Sequence, residues 1–162
     1  MGKGFLAKIK SPKLPPEMGP TSVPLGFVIV LSLIVTFSQG MDYFVRPDST
    51  SFTLGVVEQK LPLDFWGLIF LTFAVFCLVG ITFTIWPLAI IGHGVLSVTY
   101  AAFAVGIFWA LALDWRGYGW NLGVIYACFT VFHALMADGC YDEWAREWRK
   151  APLPVIADEK GM

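Results

Sequence analysis

Acidic and basic side chains are scarce in this sequence, and where they are missing matters more than how few there are. Asp, Glu, Lys and Arg make up 14% of the 162 residues, against roughly 25% in an ordinary soluble domain. None falls between Phe65 and Ile85 or between Pro87 and Leu113, and His93 is the one group in those stretches that titrates near neutral pH. A hydrocarbon core about 30 Å thick is crossed by roughly 20 apolar residues in a helix. Lipid cannot hydrogen-bond an open backbone, so such runs must be helical there. Other scarcities exclude other functions. A net charge of -1 with no basic stripe speaks against a nucleic-acid partner. Three cysteines are an odd number and make no disulfide framework. Cys77 and Cys128 read as small packing residues inside apolar runs, and Cys140 falls just past the last run. No acid or base sits near the centre of any run, where a proton-coupled transporter or a charge-lined pore would need one. There is no inverted repeat, no Gly-rich phosphate loop and no recognisable nucleophile triad, so an enzyme is not expected.

What is present is apolar length. The hydrophobic fraction is 57%, and four runs hold most of it. The expected spans are about 23–41, 63–85, 87–113 and 118–137. The expected architecture is an all-α integral membrane protein, with four transmembrane helices in an antiparallel bundle. Residues 1–24 form a basic, Pro-rich leader, 25–137 the four-span domain and 138–162 a tail. The first run is the shortest, and a cleaved signal peptide is its alternative. A charged leader that reaches to Pro24 is long for an n-region. Pro12, Pro15, Pro16, Pro20 and Pro24 mark the end of that leader as a linker. Leu6 stands where a myristoylation signal needs Ser or Thr. Spans two and three meet at Trp86-Pro87, a turn tight enough to demand a hairpin, and Pro87 suits a first helical turn. The outer loop, 42–62, is polar, and Ser51 to Val57 within it has some strand character.

Lysine and arginine set the orientation. Lys3, Lys8, Lys10 and Lys13 precede span one, and Arg146, Arg149, Lys150 and Lys160 follow span four. The opposite loops hold Arg46, Lys60 and Arg116. The positive-inside rule then places N- and C-termini in the cytoplasm. All seven tryptophans fall at or just beyond run ends. Trp66, Trp109, Trp115 and Trp120 would mark the outer interface, and Trp86, Trp144 and Trp148 the inner one, as the amphipathic indole prefers.

After Asp138-Gly139, the apolar residues Tyr141, Trp144, Ala145 and Trp148 recur at i, i+3, i+4, i+7, the spacing of one helical face. Charged residues fill the other face, and Asp142 and Arg146 are spaced to pair. The expectation is an amphipathic helix in the inner headgroup zone. A solvated extension of span four is the alternative.

Two histidines, His93 in span three and His133 in span four, come to similar depth in an antiparallel arrangement. Ionisable groups inside a membrane are functional candidates by default. Two imidazoles on neighbouring helices could clamp a b-type haem, help hold a metal or relay protons. They could equally hydrogen-bond across a helix interface, with no cofactor at all. Gly92 and Gly94 beside His93 would give a haem room. Asp138 and Cys140, near His133, match no known ligand spacing for a metal. Ala102, Gly106 and Ala110 form a small-residue stripe on span three, with Gly123 and Ala127 on span four. Such stripes let helix backbones approach closely in lipid, within one chain or between copies. Thr99, Asn121 and Thr130 could add interhelical hydrogen bonds.

A short chain with four spans, tight loops, both termini inside and the charged tail Asp142-Glu143-Trp144-Ala145-Arg146-Glu147-Trp148-Arg149-Lys150 resembles the small holin-like membrane proteins of bacteriophage lysis and host-interaction cassettes. That resemblance implies insertion in the host inner membrane, oligomerisation and, for holins, permeabilisation. The mixed-sign tail and sizeable outer loop depart from the pattern and leave membrane anchoring or partner binding open. The expected function is a non-enzymatic membrane component acting through helix association, holin-like or an accessory subunit. Its expected partners are the lipid bilayer and further copies or other membrane subunits. A haem- or quinone-associated anchor of a redox complex is one alternative, and a small channel or transporter is another.

Overall fold

The computed structural model describes residues 22–45, 61–113 and 120–150. The leader before residue 22, the strand-like stretch Ser51 to Val57, Trp115 and the tail beyond Lys150 lie outside the described residues. Among the described residues every regular element is an α-helix. They are α1 (Ser22–Val45), α2 (Leu63–Thr82), α3 (Trp86–Leu113) and α4 (Trp120–Lys150). All four are long and apolar enough to cross a membrane. The chain is a multi-pass helical membrane protein on that evidence.

The α2–α3 turn is built by the backbone. Ile85 donates its N–H to the Gly80 carbonyl at 2.8 Å, and Thr84 donates to Ile81 at 3.3 Å. This is the bond pair of a Schellman cap, which needs a left-handed residue after the helix. Thr84 takes that place with φ 55°. A β-branched residue is strained in this conformation, and its hydroxyl donates to the Phe83 carbonyl at 2.7 Å. Ile85 then serves the next helix, accepting from Leu88 and Ala89 through its carbonyl. The cap ends α2 at Thr82, three residues short of the expected boundary.

The chain divides into two compact units, residues 1–32 and 33–162, with the division inside α1. In the first, the Ser32 hydroxyl donates to the Ile29 carbonyl at 2.8 Å. The second holds the core. There α2 and α3 touch almost backbone to backbone. A Cβ on Gly80 would stand 2.5 Å from the Ala89 nitrogen, and one on Gly92 would stand 2.7 Å from Cys77 Sγ. A Cβ on Gly67 of α2 would meet the Phe44 nitrogen of α1 at 2.7 Å. In hydrocarbon, association rests on short-range packing, so missing side chains are what permit these approaches. Rings fill the space between helices. Phe103 stacks on Tyr43 at 5.6 Å and meets Trp66 edge-on at 5.3 Å. Phe70 lies 5.0 Å from Tyr100.

The small-residue stripe is used unevenly. Gly106 and Ala110 are buried, Gly123 is buried beneath Phe108 and Ile107, Ala127 is half-buried, and Ala102 is exposed. A step of four residues overshoots one helical turn by about 40°, so the stripe drifts off the contact face. The closest approaches instead use Gly67, Gly80 and Gly92, which the stripe does not contain. Cys77 and Cys140 are buried, while Cys128, expected to pack, is exposed.

Helix α4 differs most from expectation. It runs unbroken through Asp138 and Gly139 to Lys150. A glycine costs a helix about 1 kcal/mol relative to alanine. Good helix formers on both sides, Ala134 to Ala137 and Glu143 to Arg146, outweigh that, and Cys140 is buried on the inner face. The segment from Tyr141 is therefore the end of the fourth apolar helix and has no hinge of its own. Arg146 pairs with Glu143 at 2.8 Å rather than with the Asp142 carboxylate.

Candidate functional site

Two groups of buried polar side chains lie between the helices. The first is the histidine pair. His93 and His133 have no exposed surface. Their Nδ1 atoms face each other at 2.8 Å, a hydrogen-bond distance. The two positions sit at matching depth because α3 and α4 run past each other in opposite directions. Ser97 reaches Thr130 and Phe103 packs on Tyr126, so positions rise on α3 as they fall on α4. Rings fix the imidazole of His133. Tyr100 lies parallel to it, 5.5 Å away with 8° between planes. Phe132 meets it edge-on at 5.4 Å, and Phe129 stands at 6.3 Å. The Nε2 atom of each histidine is buried with no partner.

The second group is a tyrosine–glutamine network. The Gln39 side-chain amide donates to the hydroxyl of Tyr43 at 3.0 Å and to that of Tyr126. Its carbonyl oxygen accepts from Tyr100 at 3.4 Å. The Tyr43 and Tyr126 hydroxyls share a hydrogen bond of 2.5 Å. Thr36 and Tyr100 share another of 2.9 Å. One amide thus ties α1 to both α3 and α4. Tyr100 belongs to both groups, with its hydroxyl in the network and its ring on His133.

No known protein family matches the chain, and no curated protein or solved structure is detectably similar to it. Any functional reading rests on these residues alone.

Of the residues nominated from sequence, His93 and His133 are brought together. A metal ion held between two imidazoles needs its ligand nitrogens about 4 Å apart, twice a bond of about 2.0 Å. The facing nitrogens stand 2.8 Å apart and share a hydrogen, so the pair as arranged does not fit a haem iron between them. Among the described residues no three His, Cys, Asp or Glu side chains converge as a metal group. The threonines behave differently from expectation. Thr99 and Thr130 donate to the carbonyls of Val95 and Tyr126 in their own helices, the nearest acceptors four residues back. Across the α3–α4 contact it is Ser97 whose hydroxyl reaches the other helix, donating to the Thr130 carbonyl at 2.9 Å. Asn121 is exposed. Among the tryptophans, Trp109, Trp120 and Trp148 are exposed, and Trp66, Trp86 and Trp144 are half-buried. Sequence reasoning missed Gln39, Tyr43, Tyr100 and Tyr126. The available signal was Gln39, an amide inside an apolar run with Tyr43 one turn on.

Proposed function

We propose that this chain is a non-enzymatic component of a bacterial inner membrane, an accessory subunit that works by associating with other membrane proteins. On this reading the four spans form one antiparallel bundle with N- and C-termini in the cytoplasm. The opposed directions of α3 and α4 support the bundle. The lysines before α1 and the basic residues ending α4 support the orientation.

The observation that carries the reading is the length of α4. Its 31 residues span about 46 Å at 1.5 Å each. That exceeds the hydrocarbon thickness by about 16 Å, so the last turns stand beyond the lipid tails as a stiff continuation of the span. They carry an aromatic ladder, Tyr141 on Trp144 and Trp144 on Trp148, with edge-on rings 6.0 and 6.2 Å apart. Glu143 and Arg146 pair beside it. Trp148 is 67% exposed, and tryptophan is the residue type most enriched where binding energy concentrates. An amphipathic end held rigidly at the membrane surface is suited to meet a partner subunit. The interior is filled by rings, which supports no pore within a single chain. A holin-like pore would have to form between copies.

Native electrophoresis of membranes solubilised in mild detergent tests this. The chain should migrate in an assembly larger than itself. Trp144→Glu with Trp148→Glu should return it to single-chain size with its helix content intact. Migration of the unaltered protein as a single chain would defeat the reading. Dye leakage from cells on expression would favour the holin-like alternative.

A further inference from the structure

Counting hydrogens on the histidine pair exposes an asymmetry. A bond between two Nδ1 atoms needs one of them protonated and the other bare. A neutral imidazole carries one N–H. The ring that donates at Nδ1 therefore has a bare Nε2, and the ring that accepts carries its hydrogen on Nε2. Both Nε2 atoms are buried and unpartnered. The pair thus ends in an empty acceptor on one side and an unused donor on the other. In a folded protein a buried polar atom with no partner calls for a ligand, a water or a chemical role.

We infer that His93 and His133 form a proton-transfer dyad, with the proton as its substrate and water as the donor and acceptor at the two Nε2 atoms. A proton taken at the bare Nε2 makes the first ring cationic. That ring gives its Nδ1 hydrogen across the 2.8 Å bond to the second ring. The second ring, now carrying hydrogen on both nitrogens, releases the one on Nε2 to water. Each ring gains one N–H bond and loses one, and the charge returns to zero. The tautomers have then exchanged, so the next proton travels the opposite way unless both rings turn over. The dyad is a shuttle for single protons rather than an open wire.

Burial among apolar rings makes a cationic imidazole costly and therefore short-lived. Among the described residues no buried side chain is Asp, Glu, Lys or Arg. The other titratable side chains buried in the packed helices are Tyr43 on α1, Cys77 on α2, Tyr100 on α3, and Tyr126 and Cys140 on α4. The three tyrosine hydroxyls are engaged with one another, Gln39 and Thr36. No buried carboxylate among the described residues holds the proton, while the parallel face of Tyr100 offers a cationic ring weak stabilisation. The rings around His133 also keep its plane aligned for the transfer.

The test is magnetic resonance on the full chain with 15N-labelled histidine in phospholipid bilayers. A coupling across the hydrogen bond should link Nδ1 of His93 to Nδ1 of His133. In D2O the imidazole N–H signals should exchange well before the backbone amides of Leu96 and Thr99, which lie on the next two turns of α3. In His133→Gln, which keeps a polar side chain but cannot pass a proton on, the His93 N–H should become as protected as those amides. Absence of the coupling overturns the proposal. So do imidazole hydrogens as protected as the amides in the unaltered protein, or fast His93 exchange that persists in the variant. If the variant loses amide protection, and so its fold, the coupling and exchange of the unaltered chain decide alone.

Discussion

The two buried polar groups share a ring, Tyr100, and differ in how completely they are satisfied. In the tyrosine–glutamine network, both ends of the Gln39 amide are bonded, and each of the three tyrosine hydroxyls has a partner. In the histidine pair each ring uses one nitrogen and leaves the other with nothing. A satisfied buried network rigidifies and specifies one packing. An unsatisfied buried atom costs about 1–3 kcal/mol, and persists where it serves something besides stability. The network therefore reads as the lock that sets α1 against α3 and α4, and the pair as a contact that carries an energetic cost the network does not.

The largest expected effect breaks the lock. Gln39→Leu removes three hydrogen bonds with little change of volume and leaves the Tyr100 hydroxyl bonded to Thr36 alone. Hydrogen bonds between membrane helices average about 0.6 kcal/mol, and polar atoms left unpaired add to that. The expected loss is roughly 2 to 3 kcal/mol, read by SDS titration in mixed micelles. A loss near zero would mean the network follows the packing rather than directing it. Tyr126→Phe should cost less, about 1 kcal/mol, because Tyr43 keeps its bond from Gln39.

The histidine pair should respond in the opposite sense. Replacing both partners of a buried bond by apolar groups of similar shape is close to neutral. His93→Leu with His133→Leu should therefore stay within about 1 kcal/mol of the unaltered protein, since it also removes two unpartnered nitrogens. His133→Leu alone should be worse than the double change, because it strands both nitrogens of His93. Such non-additivity is the mark of a directly coupled pair. A double variant that loses as much as Gln39→Leu would make the pair a second lock and erase the contrast.

The contrast was half legible in the sequence. The spans could be read because hydrophobic length is a signal along the chain and needs no knowledge of neighbours. His93 and His133 could be nominated because an imidazole in lipid is costly wherever it points. The network could not, because Tyr43, Tyr100 and Tyr126 count as apolar bodies. Only the three-dimensional arrangement shows their hydroxyls turned onto one amide. The glycine contacts were missed for a related reason. Spacing by four singled out Ala102, which faces outward, while Gly80 and Gly92 matter through the partners opposite them, Ala89 and Cys77. The unbroken α4 was obscured by Asp138-Gly139, local breakers that the flanking helix formers overrule.

The smallest expected effect lies between the two groups. Ser97 is one turn from His93, and its hydroxyl donates to the Thr130 carbonyl across the α3–α4 contact. Its hydroxyl bonds a neighbouring helix's backbone, so the sequence logic of polar glue would rank it high. The physical argument ranks it low. The Thr130 carbonyl belongs to the interior of α4, where the helix supplies its own N–H partner. Ser97→Ala therefore strands no acceptor and leaves only a small apolar side chain on the contact. The expected cost is about 0.5 kcal/mol, the typical worth of one interhelical bond in a membrane, by the same SDS titration. The exchange of the histidine N–H hydrogens should not change, because Ser97 bonds to neither ring. A loss above about 2 kcal/mol would place Ser97 with the lock, at a value reserved for groups left unpaired. Altered histidine exchange with little loss of stability would instead make Ser97 part of the route by which water reaches the pair.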